Sequence, residues 1–179
     1  MNQIIGIDFG TTNCRAALRL DGDSIRPIKG SRGEECLLAV VAAHEGRVVV
    51  GSQARALAGR PGVDSISSIK RLVGSAPEDW ELEELVRRGS FRLAPDRPST
   101  PDSLAVVMGE RKYLPEQVCS LIIKELKRNA EAQFGTGIDT AVLTVPAWCG
   151  VKRRALMQRA AESAGFKVCL LYTSPSPRD

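Results

Sequence analysis

The chain has 179 residues, a formal net charge of +4 at neutral pH, 43% hydrophobic residues and 26% charged residues. These values are typical of a globular protein, and the length allows one domain of ordinary size or part of a larger one. Basic residues are interspersed with acidic ones, which argues against a nucleic-acid surface, and no apolar run approaches the length of a membrane span.

The five cysteines are scattered along the chain, and none of them forms a C-x-x-C pair. His44 is the single histidine, so we expect no zinc site. An odd number of scattered thiols favours a reducing compartment, and no signal-peptide pattern is found, so the expected location is the cytoplasm. Cys14 is interpreted as a small buried side chain, and the alternative is an oxidation-sensitive thiol.

The first predicted elements are two strands joined by a tight polar turn, between Ile4 and Leu20. Gly10 has no side chain, so the backbone of this turn can approach a ligand closely. The next three residues supply hydroxyl, amide and backbone N–H donors that suit an anion: Thr11, Thr12 and Asn13.

Asp8 lies at the end of the first predicted strand, and we expect its carboxylate to point toward the same turn. A carboxylate in that position can hold a hydrated Mg²⁺ ion. Donors for phosphate beside an acid for its metal indicate a nucleotide site. The alternative is an ordinary hairpin in which Asp8 hydrogen-bonds the loop.

Several short elements are predicted downstream of this hairpin. They are a third strand at 24–28, a loop at 29–35, a hairpin at 37–43 and 47–50, and a short helix at 51–58. The apolar stretch SISSIKRLVG follows at 65–74, where Lys70 and Arg71, taken alone, predict a surface helix with two solvated cations.

The second half of the chain predicts an α/β arrangement. The predicted elements are a helix at 77–88, a proline-rich loop at 92–102, a hairpin at 103–108 and 111–114, a long helix from Pro115 to Gly135, a buried strand at 140–145 ended by Pro146, and a helix at 151–164. The apolar face of the long helix is assigned to the core, with no cofactor.

Three of these segments resemble motifs of known proteins. GIDFGTTN is similar to the first phosphate motif of the actin-like ATPase superfamily, which includes heat-shock chaperones, filament proteins and sugar kinases. IKRLVG and the AVLTVPAW segment with its following helix resemble the DnaK-type seventy-kilodalton heat-shock chaperones. The order and spacing of the three motifs favour that family.

The resemblance implies one lobe of an actin-like, ribonuclease H-like ATPase, an α/β fold with a mixed sheet, hairpins and flanking helices. It implies that Lys70 orients the attacking water and stabilises charge on the transferred phosphoryl group. It also implies that Pro146 and Arg154 relay the nucleotide state toward a substrate domain.

The resemblance extends from Ile4 to about Val168 and implies a division of the chain. Residues 1–36 and 112–170 are expected to form a core subdomain, 37–111 an inserted subdomain, and 171–179 a disordered or foreign tail. The implied cofactors are ATP or ADP with Mg²⁺. The implied partners of the complete protein are unfolded client peptides, a J-domain co-chaperone and a nucleotide exchange factor, with no nucleic acid and no membrane.

The sequence departs from the family pattern at three places. Residues 36–39 replace a Thr-Pro-Ser or Leu-Pro-Ser motif, and Cys149-Gly150 replaces an aromatic and a polar residue, so we expect the next helix to lack a side-chain cap. After Val168 the family continues with Asn-Glu-Pro-Thr, whose glutamate helps position the hydrolytic water, whereas this chain reads CLLYTSPSPRD. We therefore expect a truncated ATPase lobe that is an enzyme only in its complete form.

Three other functions fit part of the sequence. A carbohydrate kinase lobe also opens with this kind of hairpin, often followed by an arginine such as Arg15, but kinases lack the IKRLVG segment and the VPA helix at these distances. A filament-forming protein and a non-catalytic remnant are the remaining alternatives. Within the chaperones, SISSIKRLVG favours the branch specialised for iron–sulphur cluster assembly.

Overall fold

The computed structural model describes residues 3–20, 24–75, 82, 85–87, 89–97, 100–146 and 149–174. The strands are β1 Ile4–Phe9, β2 Asn13–Arg19, β3 Ile25–Pro27, β4 Leu37–Leu38, β5 Val40–His44, β6 Arg47–Val50, β7 Asp64–Ser67, β8 Arg92–Arg97, β9 Thr100–Met108, β10 Arg111–Tyr113, β11 Thr140–Pro146 and β12 Lys167–Ser174. The helices are α1 Ser52–Leu57, α2 Pro115–Phe134 and α3 Val151–Ser163, with a 3₁₀ turn at Ile69–Arg71.

The main sheet has the strand order β12-β11-β1-β2-β3, and β4 also pairs with β2. β1, β11 and β12 are parallel, whereas β2 runs antiparallel to β1 and β3. Buried and exposed residues alternate along β1, as expected for a strand whose two faces differ in environment. Parallel and antiparallel pairs in one sheet confirm the mixed sheet that the family resemblance implies.

The long helix α2 begins and ends as its sequence predicts. Pro115 occupies its first turn, and Gly135 ends it in a left-handed conformation with φ of 67°. Val118, Ile122 and Leu126 form the buried face against the sheet. Among the described residues, none of the helices has the combination of length and apolar content that a membrane span requires.

The residue before α3 is Gly150, which has no side chain to cap the helix, as expected from the sequence. Two smaller antiparallel sheets complete the fold, with strand orders β6-β5-β7 and β10-β9-β8. Their strands lie within residues 37–111, expected to form an inserted subdomain, except that β10 extends to Tyr113. The main cluster of buried side chains includes residues of all three sheets.

The structure corrects three local predictions. In the segment predicted as a proline-rich loop, residues 92–97 form β8 and residues 100–102 begin β9. Pro95 is tolerated in β8 because that strand lies at the edge of its sheet. Residues 65–74 form β7 and the 3₁₀ turn instead of a surface helix. Residues 171–174, expected in a disordered tail, belong to β12, where pairing with β11 outweighs their polar composition.

Two predictions concern boundaries. Leu37–Leu38, expected at the start of the inserted subdomain, pair with β2 of the main sheet as β4. Most of the predicted helix at 77–88 lies outside the described residues. Within that range Leu82 and residues 85–87 are described, and they are helical. The last five residues of the expected tail, 175–179, also lie outside them.

Lys127 connects α2 to the start of the next strand. Its ammonium donates to the Ile138 carbonyl and lies 3.1 Å from the Glu131 carboxylate and 3.4 Å from that of Asp139. The same ammonium lies 4.7 Å from the centre of the Phe166 ring. Because the side chain is only 15% exposed, these interactions are screened less than those of a surface ion pair.

Replacing Lys127 with methionine is expected to lower the free energy of unfolding by about 1–2 kcal/mol, because it removes the charged donor and keeps the apolar stem. Lys124→Met is the matched control, since Lys124 is exposed on the same helix. Urea denaturation of both variants measures the difference. Equal stability of the two would show that Lys127 contributes no more than a surface lysine.

Candidate functional site

The turn between β1 and β2 closes through a close backbone contact at Gly10. A Cβ atom at this position would overlap the Asn13 carbonyl oxygen, so a residue with a side chain cannot occupy it without movement of the backbone. The Thr12 carbonyl accepts a hydrogen bond from Ala39 N–H at 2.8 Å, which fixes the other side of the turn. Thr12 and Asn13 are exposed, so their donors are available to a ligand.

Asp8 lies beside this turn, at the carboxyl ends of the parallel strands β1 and β11. It is exposed, and its Oδ1 accepts a hydrogen bond from Thr144 Oγ1 at 2.6 Å. Ligands of sheets with parallel strands commonly bind at this edge. Arg15 is the residue opposite Asp8 in the β1–β2 register, and it is also exposed.

Thr144 is a site residue that the sequence analysis missed. Its pairing with Asp8 depends on the register between β1 and β11, whose partner residues are more than 130 positions apart. A threonine within an apolar strand carries no local signal of such a contact. The hydrogen bond fixes one oxygen of the Asp8 carboxylate and so orients the side chain.

Lys70 reaches the core because of the backbone conformation just before it. Ser68 has a left-handed conformation with φ of 58°, which non-glycine residues adopt rarely. The chain changes direction there, from β7 into the 3₁₀ turn, and both Ile69 and Lys70 become buried. Lys70 is 8% exposed, so it is not the solvated surface cation that its local sequence predicts.

The Lys70 charge acts on three buried thiols, those of Cys14, Cys119 and Cys149. Burial raises the pKa of Cys14 to about 12, and the nearby Lys70 ammonium offsets part of that rise. Burial also raises the pKa of Cys119 on α2 and of Cys149 before α3, and Lys70 again acts in the opposite direction. The Lys70 charge is therefore within electrostatic range of thiols on β2, on α2 and just before α3, and its 3₁₀ turn packs against α2.

The Cys14 thiol is next to the β1–β2 turn, because Cys14 directly follows Asn13 and its thiol contacts the Gly10 carbonyl oxygen at 3.8 Å. The interpretation of Cys14 as a small buried side chain is confirmed. With a pKa near 12 the thiol stays protonated at neutral pH, whereas thiol oxidation proceeds through the thiolate.

The segment that carries Lys70 packs against α3. Gly74 has φ of 70°, and a Cβ atom there would lie 2.8 Å from Cγ of Arg153. Arg153 also donates to Ser75 Oγ at 3.5 Å. The next residue, Arg154, donates from Nε to the Cys149 carbonyl at 2.8 Å.

The two residues expected to act as a relay occupy the junction between β11 and α3. Pro146 is the last residue of β11, two positions after Thr144. Arg154 lies in the first turn of α3 and bonds to the carbonyl of the residue just before that helix. The side chain of Pro146 and residues 147–148 lie outside the described part of the chain.

The donor set fits a nucleotide with its metal better than a metal held by protein alone. Within the described residues, no group of three or more metal-ligating side chains occurs. Mg²⁺ needs no such group, because it usually keeps several waters and binds through one or two carboxylates and the phosphates. Asp8 provides the carboxylate, and the exposed glycine turn provides donors for the phosphates.

The strand order of the main sheet and the arrangement at its carboxyl edge define the class of protein, one lobe of an actin-like ATPase. A family model described as Hsp70 protein matches residues 4–175, nearly the whole chain. The chain belongs to the Hsp70 family. Proteins of this family are molecular chaperones that generally bind ATP or ADP with Mg²⁺. The resemblance to DnaK-type chaperones is therefore confirmed.

Replacing Gly10 with alanine is expected to lower the free energy of unfolding by about 2 kcal/mol, because the new Cβ overlaps the Asn13 carbonyl oxygen. Gly6→Ala is the control in the preceding strand β1, where the nearest atom, the Ala17 carbonyl oxygen, would be 3.9 Å from the new Cβ. Thermal or urea unfolding compares the two. A loss as large at Gly6 as at Gly10 would contradict the proposed contact.

Proposed function

We propose that this chain forms the first lobe of the ATPase domain of an ATP-dependent Hsp70 chaperone and that the β1–β2 turn receives the phosphates of ATP. The observation that carries the proposal is the position of Lys70. Its charge acts on the thiol of Cys14, the residue that follows the exposed turn, although more than 50 residues separate the two in sequence. A buried cation next to an exposed donor-rich turn suits a phosphate group.

Each residue at this edge has a separate role in the proposal. The backbone and hydroxyl donors of Gly10, Thr11, Thr12 and Asn13 bind the phosphate oxygens. Asp8 holds Mg²⁺ through water, and the bound ion neutralises charge on the phosphates.

Lys70 is the residue we assign to the chemical step. It orients the attacking water and stabilises the negative charge on the transferred phosphoryl group, a role that needs a fixed cation in a site with little water. Its low exposure, 8%, meets that condition. The left-handed Ser68 turns the chain so that Lys70 is buried.

The junction between β11 and α3 is the proposed relay. Arg154 bonds to the Cys149 carbonyl, and the neighbouring Arg153 contacts the segment that carries Lys70. A change at the phosphates could therefore reach α3 through Lys70 and Gly74, with Pro146 as the fixed end of the strand. A substrate domain of the complete protein would receive this signal.

Catalysis in this class depends on holding the nucleotide between two lobes, and phosphoryl transfer relies mainly on positioning and surrounding charge. The described residues supply one side of that arrangement. We therefore propose that hydrolysis needs a second lobe and a glutamate that positions the water. Client peptides, a J-domain co-chaperone and a nucleotide exchange factor are the proposed partners, and the cytoplasm is the proposed location.

Lys70→Ala and the more nearly isosteric Lys70→Met are expected to lower ATP turnover by about a hundredfold or more while nucleotide stays bound, when this chain is joined to the second lobe of an Hsp70 ATPase domain. Arg71→Ala is the matched control, because Arg71 is exposed in the same 3₁₀ turn. Single-turnover hydrolysis and nucleotide titration separate the two effects. Unchanged turnover in both Lys70 variants would remove the proposed role.

For the chain alone, calorimetric titration with MgATP is expected to show weak or no binding, and a phosphate-release assay no turnover. The physical reason is that one lobe leaves most of the nucleotide in solvent. Micromolar affinity in that titration would contradict the requirement for a second lobe.

A further inference from the structure

A cleft of about 740 Å³ lies between the loop after β3 and the C-terminal half of α2. We call it the basic cleft; the residues that define it here are Arg26, Lys29, Gly30, Arg128 and Asn129. None of its lining residues belongs to the β1–β2 turn or to the surroundings of Lys70. Its chemistry is therefore separate from the proposed nucleotide site.

The charged residues of the basic cleft are all positive. Arg26 and Lys29 are exposed, and among the described residues neither side chain forms an ion pair. Arg128 pairs with Glu125, whose side chain lines the neighbouring cavity and not this one. Arg26 and Lys29 thus have no ion-pair partner among the described residues, whereas Arg128 already has one. The net positive charge of the cleft favours an anionic ligand.

The cleft wall is held in place before any ligand binds. The Gln133 side chain accepts a hydrogen bond from Lys29 N–H at 2.9 Å and donates one to the Pro27 carbonyl at 3.1 Å. Gly30 N–H bonds to the Glu34 carbonyl at 2.8 Å. These contacts attach the loop to α2 and to its own turn, so binding would require little ordering of the backbone.

Asn129 provides a second, independent observation. The residue is only 8% exposed, and its side chain forms no hydrogen bond within the described part of the chain. It lies where the basic cleft meets a neighbouring cavity of about 230 Å³. Its amide is not among the fully buried polar groups that lack a partner, so it stays accessible from the cleft, where a bound molecule could hydrogen-bond it.

We propose that the basic cleft binds a small phosphorylated molecule. Arg26 and Lys29 pair with its phosphate group, and the Asn129 amide hydrogen-bonds a polar group on the rest of the molecule. The cleft is much larger than one phosphate ion and falls within the range of about 300–1,000 Å³ that is typical of small-molecule sites. The site is additional to the nucleotide site and does not depend on it.

The probe for this proposal is pyrophosphate, titrated at constant ionic strength into the whole ¹⁵N-labelled chain. We expect saturable shifts of the Gly30 and Ser31 amides and of the Asn129 side-chain amide, with a Kd below about 1 mM. The double variant Arg26→Gln/Lys29→Gln is expected to weaken binding about tenfold or more, because it removes both charge-assisted contacts. Arg60→Gln/Lys152→Gln is the matched control, since both residues are exposed elsewhere, and we expect its affinity to stay within about twofold.

Several outcomes would overturn the proposal. Shifts confined to Gly10–Asn13 would place the anion at the β1–β2 turn, which would support the proposed nucleotide site and remove this one. Equal affinity for citrate would show a general preference for anions instead of phosphate. Binding of a poly-glutamate peptide, with no response to pyrophosphate, would identify the cleft as a surface for acidic proteins.

Discussion

The absence of a side chain at residue 10 is the constraint on which the candidate site depends. The turn from β1 to β2 closes because the Asn13 carbonyl occupies the space where a Cβ atom would lie. This closure sets the register in which Phe9 pairs with Cys14 and Asp8 with Arg15. Since side chains of a strand alternate between its faces, the same register directs Cys14 into the core and leaves Asp8 exposed at the edge.

Secondary-structure elements were predicted correctly where the sequence pattern that specifies them extends over only a few residues. The signals are the alternation of apolar and polar residues in β1, the proline and glycine at the two ends of α2, and the glycine before α3. Each can be read from residues that are neighbours in sequence. Contacts that depend on distant pairing could not be predicted in this way. Thr144 meets Asp8 only through the parallel pairing of β1 and β11, and residues 171–174 become a strand only because β11 is beside them.

The Lys70 segment shows why composition alone was misleading. A lysine and an arginine in an apolar stretch predict solvated cations on a helix, yet the left-handed Ser68 turns the chain so that Lys70 is buried and Arg71 exposed. The proposed catalytic role of Lys70 came from the resemblance to the chaperone motif, because periodicity gave no signal for it. The proposed relay roles of Pro146 and Arg154 also came from the resemblance, and their residue types alone would indicate a turn and a surface helix.

The two long helices of this lobe, α2 and α3, differ in the hydrogen bonds that stabilise their first turns. In α2 the Gln117 side chain accepts a hydrogen bond from Leu114 N–H at 2.8 Å and so ties the first turn to the residue before it. In α3 the corresponding position before the helix is Gly150, which has no side chain to form a cap. The first turn of α3 is therefore expected to unwind at a lower cost in free energy than the first turn of α2.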